Sequence, residues 1–163
     1  MRFSIDELRQ QGFAGFVSAR ELSRCRDQIP NVCGVYVAVR TADAPPSFLS
    51  KSPAGWFKNE DPTRPIPVLE RKWVPRAAVV YIGKAGPSQR RTLRRRLSEF
   101  LDFGGGLPKA HRGGSATWQL GDAQELLIAW KPTGTSDPRE IEKRLLAEFR
   151  EQFGALPYAN FQS

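Results

Sequence analysis

Val79–Phe103, VVYIGKAGPSQRRTLRRRLSEFLDF, is the stretch on which the reading of this chain turns. It opens as a short apolar run rich in β-branched residues, breaks at Gly83 and at Gly86-Pro87, and resumes with leucines and a phenylalanine at helical spacing. Strand, turn and helix therefore follow in that order, the strand over Ala77 to Ile82 and the helix from about Ser88 to Phe103. At roughly 100° per residue, Leu93, Leu97, Phe100 and Leu101 share one face, Arg95 falls nearly opposite, and Arg94 and Arg96 flank the apolar stripe. Between Lys84 and Arg112 there are eight Lys or Arg against two acids, Glu99 and Asp102, so six of the chain's eight net positive charges sit in under a fifth of its length. Such a cluster points to a polyanionic partner.

Upstream of this stretch, Cys33 to Val39, CGVYVAV, reads as a strand leaving a Pro-Asn turn. Residues 1–17 predict a short helix and a packing arm, and Ser18-Ala-Arg-Glu21 has the capping-box pattern for a second short helix that ends before Pro30. Residues 41–75 hold seven of the thirteen prolines together with Trp56, Phe57 and Trp73, a density that no regular core element tolerates. This insertion is either an ordered decoration packing its own tryptophans on the core or a substrate-facing loop.

Downstream, Gly104, Gly105 and Gly106 end the helix, and the segment through Gly114, with Lys109, His111 and Arg112, reads as a mobile basic loop. Leu126 to Trp130, LLIAW, predicts a third strand. Asp137-Pro138-Arg139-Glu140 combines an N-cap acid, proline at the first helical position and a glutamate at the third, so a helix should run to about Phe153 and stop at Gly154. Ile141, Leu145, Leu146, Phe149 and Phe153 then occupy one arc, with Glu142 near its middle and Glu140 on the opposite side. A carboxylate centred on a buried face is costly unless a cation, metal or donor answers it. An internal ion pair with an arginine is the plainer answer.

A chain of 163 residues with 40% hydrophobic content supports one ordinary core, hence a single domain over 1–163 with residues 1–32 as an N-terminal helical extension. The net charge of +8 comes mostly from eighteen Arg against seven Lys, and the planar guanidinium suits phosphate, which favours nucleic acid over a small acidic metabolite. No basic amphipathic helix with an exposed apolar face argues for a membrane surface, and the N-terminal MRFSIDELRQ lacks an apolar stretch of signal-peptide length, so a soluble, cytoplasmic protein is expected. Cys25 and Cys33 fit no metal-ligand pattern and are expected to be buried thiols. Gly83-Lys84 lacks the remaining residues of a nucleotide phosphate loop.

Gly34-Val35-Tyr36 in the first strand, Tyr81-Ile82-Gly83 in the second, Arg96 within RRRL, Glu142 within EKRLL and Asn160 within PYAN resemble, in order, the signature of the GIY-YIG nuclease superfamily. YIGKAG, a spacer and L-x-x-R-L-S-x-F are locally most similar to the excision-repair incision nuclease, and together the motifs span residues 34–160. The chain departs from that pattern twice. The long insertion separates Tyr36 from Tyr81, as in the restriction-enzyme branch, and the histidine that some relatives carry one turn after the arginine is here Phe100, which His111 could replace from the glycine loop.

The resemblance implies an α/β (α+β) fold, with a small three-stranded, mainly antiparallel sheet flanked by helices and the proline-rich insertion between strands one and two. It also implies a metal-dependent DNA endonuclease, with RNA as the alternative substrate, working with one Mg²⁺ or Mn²⁺ ion. Tyr36 would orient or deprotonate the water, Tyr81 would share that proton, Arg96 would neutralise a non-bridging oxygen, and Glu142 would hold the metal near the leaving group. Free tyrosine titrates near 10, so such base catalysis needs cationic help, which Lys84 could give if it does not bind phosphate or simply lie solvated in its turn. Arg94, His111 and Asn160 complete the substrate-binding candidates. For His111 an exposed loop position is the plainer expectation, and for Asn160 the choice is between fixing the C-terminal segment and touching a phosphate. The second function class is a non-catalytic nucleic-acid-binding module with the same fold. No reading module is attached, so targeting falls to the insertion, the glycine loop, a partner protein or a homodimer.

Overall fold

The computed structural model describes residues 3–109, 111 and 113–161. Arg112, counted above in the basic cluster, lies outside the described residues. In chain order the elements are α1 (Ile5–Gln10), β1 (Ala14–Ser18), α2 (Ala19–Leu22), β2 (Gly34–Val39), α3 (Ile66–Lys72), β3 (Val79–Ala85), α4 (Leu93–Gly104), β4 (Leu127–Pro132) and α5 (Pro138–Phe153). The strands form one sheet in the order β1-β4-β2-β3. Each neighbouring pair is antiparallel.

β2 is buried along its whole length. Its two-residue period turns Tyr36 and Ala38 to one face and Val35, Val37 and Val39 to the other. On the first face lie Leu93, Leu97, Phe100 and Leu101 of α4, with Trp118; on the second lie Leu145, Leu146 and Phe149 of α5, joined by Phe3 and Leu8. The stripes expected for both helices are therefore the faces that they bury. Asp137 caps α5 by accepting from the Arg139 N–H, and Gly154 closes it in the left-handed conformation at φ 77°.

Four expectations need correcting. The sheet has four strands, because the arm after α1 is β1, paired with β4. Phe16 sits at φ 58° in a bulge between Gly15 and Val17, and this hides the two-residue period. α4 begins at Leu93 instead of Ser88: Thr92 caps it, its side chain accepting from the Arg95 N–H, while residues 88–91 form a turn closed by the Arg91 N–H on the Ser88 carbonyl. The insertion contains a helix after all, since α3 takes up Pro67 in its first turn, where no N–H is missed, and buries Leu69. Finally, Cys25 is exposed and Cys33 half-buried, both as free thiols.

The insertion divides its aromatics. Trp73 packs edge-on against Phe48 and Tyr158, whereas Trp56 is 51% exposed. Among the described residues no helix is long and apolar enough to cross a membrane.

Candidate active site

Tyr36 and Gly83 are cross-strand partners on β2 and β3. A β-carbon on Gly83 would stand 2.4 Å from Tyr36 Cζ and 2.7 Å from its hydroxyl, so glycine is what lets the phenol ring lie across the neighbouring strand. Tyr81, two residues earlier on β3, meets Tyr36 edge-on with ring centroids 6.0 Å apart. Phe100 from α4 stacks on Tyr81 at 5.5 Å.

The first turn of α4 is tied to the segment that leads into β2. The Leu93 and Arg94 N–H groups donate to the Val32 and Pro30 carbonyls, the Arg94 side chain donates to the Ile29 and Asp27 carbonyls, and the Thr92 hydroxyl donates to Asn31. These bonds satisfy donors that a helix start leaves open and fix α4 against the strand bearing Tyr36. One turn further, Arg96 shares a cleft with both phenols. That cleft, about 150 Å³ in volume, is lined by Tyr36, Tyr81, Lys84, Gly86, Arg91, Arg96 and Glu142. Arg96 also donates to Glu99 at 2.9 Å, which steadies the guanidinium without sealing it from the cleft.

Glu142 comes from the second turn of α5, on the far side of the sheet. Burial raises its carboxyl pKa, and the Lys84 ammonium opposes that rise. Among the described residues Glu142 forms no ion pair with an arginine, so the plainer answer to its position does not apply. Among the described residues no group of three or more His, Cys, Asp or Glu gathers for a metal. Any cation held in the cleft has this one carboxylate and must draw its other ligands from solvent or substrate, a manner of binding suited to Mg²⁺.

His111 is not an exposed loop residue. It is 1% exposed, and its Nε2 lies 3.2 Å from the Tyr36 hydroxyl, while its ring packs on Phe100 at 4.7 Å. Among the described residues its buried Nδ1 has no hydrogen-bond partner. Burial and then the nearby Arg96 push the imidazole pKa down to about 3, so the ring is neutral at pH 7. Burial acts in the opposite sense on the phenols: Tyr36 is held well above the usual range for tyrosine despite Arg96, and Tyr81 is pushed up to about 12 by burial and then by Glu142. Cationic help thus reaches both tyrosines and is outweighed.

Tyr36, Tyr81, Arg96, Glu142 and Lys84 therefore converge, with His111 behind Tyr36. Arg94 does not join them, since its guanidinium is spent on backbone carbonyls. Asn160 serves the first of its two expected roles: its side-chain oxygen accepts from the Ile82 N–H and its amide donates to the Ile82 carbonyl, both at 2.9 Å, pinning the C-terminal segment along β3. Arg91 also belongs to the cleft, a place that helical periodicity from Ser88 does not forecast. A helix begun at Ser88 turns it to the solvated side with Arg95, whereas the Thr92 cap leaves it in the turn. The Thr92 side chain before an apolar-periodic run is the signal that could have found it. No protein-family model, curated protein or solved structure matches this chain.

Proposed function

We propose that this protein is a metal-dependent endonuclease that hydrolyses phosphodiester bonds in DNA, as its resemblance to the GIY-YIG superfamily implies. What carries the reading is the polar cleft in which two phenols, three cations and a carboxylate without an ion pair among the described residues meet, although they come from β2, β3, the following turn, α4 and α5. Lys84, Arg91 and Arg96 against Glu142 leave the cleft net positive, suited to a phosphate. Its volume of about 150 Å³ is enough for a phosphate group.

Glu142 is the residue that would hold one Mg²⁺ or Mn²⁺ ion, which when bound supplies Lewis-acid charge relief at the departing oxygen. Arg96 and Arg91 neutralise non-bridging oxygens of the phosphate. Tyr36 orients the attacking water: its hydroxyl accepts the water's proton while passing its own to His111 Nε2. The low pKa of the imidazole has two causes, burial and Arg96, and a phosphate seated on Arg96 offsets the second. Neutral His111 is thus a proton acceptor whose strength rises when substrate arrives.

The raised phenols favour a second reading, a non-catalytic nucleic-acid-binding module, because neither tyrosine is a base by itself. Against it stands Glu142, which repels a phosphodiester backbone unless a cation intervenes. A cleavage assay with Mg²⁺ on branched, damaged and ordinary duplex DNA and on RNA decides between them. The expected result is nicking that falls by at least about a hundredfold in Glu142→Gln, Arg96→Ala and Tyr36→Phe while binding persists. Binding without cleavage by the unaltered chain, on every substrate and metal, establishes the binder instead.

A further inference from the structure

Residues 52–63 form a compact hairpin within the insertion, closed at its base by the Ser52 N–H on Thr63 Oγ1 at 2.9 Å. At its tip Phe57 and Glu60 pair across a two-residue turn, the Glu60 N–H donating to the Phe57 carbonyl at 3.1 Å. The turn residues Lys58 and Asn59 both have positive φ, 55° and 61°. Two successive left-handed residues give a tight turn usually built with glycine, and lysine there is strained. Trp56, just before this turn, is 51% exposed, while the other three tryptophans are buried or half-buried, and the Lys58 ammonium lies over the Phe57 ring, 5.5 Å from its centroid.

The hairpin is not free-standing. The Gly55 N–H donates to the Phe103 carbonyl at the end of α4, and a β-carbon on Gly55 would lie 1.9 Å from the Leu107 carbonyl oxygen, so the two backbones touch. Leu107 is itself 49% exposed. From Leu107 to His111 is four residues, which bounds their separation at about 14 Å. At about 3.4 Å per nucleotide, Leu107 therefore lies within about four base steps of His111, which contacts the Tyr36 hydroxyl. The exposed Lys51 and Lys58 and the half-buried Lys109 share this region with the exposed acids Glu60 and Asp61, and Asp61 accepts from the Thr63 N–H at 2.9 Å.

Resting on the nucleic-acid reading above, we propose that Trp56, on a hairpin that carries Lys58 and touches the Leu107 backbone through Gly55, is a stacking platform for an unpaired base of the strand whose phosphate occupies the cleft. The substrate is then DNA with a gap, bulge or single-stranded arm, because in a continuous duplex every base face is already covered by its neighbours. A rigid aromatic ring takes any base, so the platform selects for absence of pairing and not for sequence.

The test measures binding of the full chain in EDTA to two labelled probes, a continuous duplex and the same duplex with a short single-stranded gap. Trp56→Ala should weaken binding to the gapped probe by roughly five- to a hundredfold and change binding to the duplex by no more than about twofold, with Trp56→Phe recovering most of the loss. Quenching of the exposed tryptophan's fluorescence by the gapped probe, absent in Trp56→Phe, should accompany it. Unchanged gapped binding, or equal loss on both probes, overturns the platform and leaves the nuclease reading standing. Failure of the unaltered chain to bind either probe removes both. A shift from dimer to monomer in Trp56→Ala, with binding unchanged, makes the patch a contact between copies and likewise overturns it.

Discussion

Replacing His111 by glutamine separates a buried neutral imidazole from a solvated one. In the native chain this group titrates near 3, against about 6.5 when unfolded. At pH 5 the unfolded chain therefore holds a proton on the imidazole that the folded chain refuses. Stability is fully present above about 6.5, falls as the pH falls through this window, and goes on falling to about 3, where the native ring finally protonates. One pKa unit is about 1.4 kcal/mol, so between pH 7 and pH 5 the group removes about 2 kcal/mol from the stability of the wild type and nothing from that of His111→Gln. The carboxylates common to both chains cancel in the comparison. Urea unfolding at the two pH values reads it directly: the variant starts lower at pH 7, having lost packing on Phe100 and its contact with Tyr36, yet its further loss on acidification is smaller by about 2 kcal/mol. Equal losses in the two chains would show that water reaches the ring, and the proton route from Tyr36 to His111 would fall with its burial. Titrating the imidazole by its proton resonances is the independent check, since a midpoint between 6 and 7 refutes the same reasoning.

Gly83→Ala should leave the circular dichroism spectrum unchanged while cleavage falls by about a hundredfold, because the new methyl group occupies the space of the Tyr36 ring and moves it from the cleft. Asn160→Ala strips two hydrogen bonds from the Ile82 backbone and should cost about 2–4 kcal/mol in chemical unfolding; a loss below about 1 kcal/mol would mean that water replaces the amide at no cost. Arg91→Ala and Lys84→Ala should each lower the slope of log affinity against log salt by about one, and an unchanged slope removes that residue from phosphate contact. Arg94→Ala should lower stability and leave that slope alone, its guanidinium being held by the Ile29 and Asp27 carbonyls.

Periodicity read the core well and the cleft in part. Leucines and phenylalanines three and four apart in α4 and α5 fix which face turns inward, and that alone set Arg96 beside the buried stripe and Glu142 within one. The edge strand β1 escaped because a glycine-rich segment with a bulge has neither alternation nor a run of β-formers. The start of α4 escaped for a related reason. Basic residues at 90 and 91 suit a helix by propensity, and only the Thr92 cap and the carbonyls of Pro30 and Val32, distant in sequence, decide otherwise. Burial of His111 is a tertiary fact: nothing local in a glycine-flanked loop forecasts that its ring will close over Phe100 and Tyr36.

The same tertiary packing settles the contest of effects on the phenols. Expecting a tyrosine base requires the cation nearby to outweigh the cost of taking a phenolate out of water. For Tyr36 burial is the largest influence and Arg96 opposes it without prevailing. A catalytic role for Tyr36 then depends on where its proton goes, and an acceptor within reach is a histidine kept neutral by the burial that blocks ionisation of the phenol. Both groups stand on the same side of that balance, so opening the pocket to water, as Phe100→Ala would do, should raise the His111 pKa and lower that of Tyr36 together. If only one of the two moved, their shared burial would not be the cause.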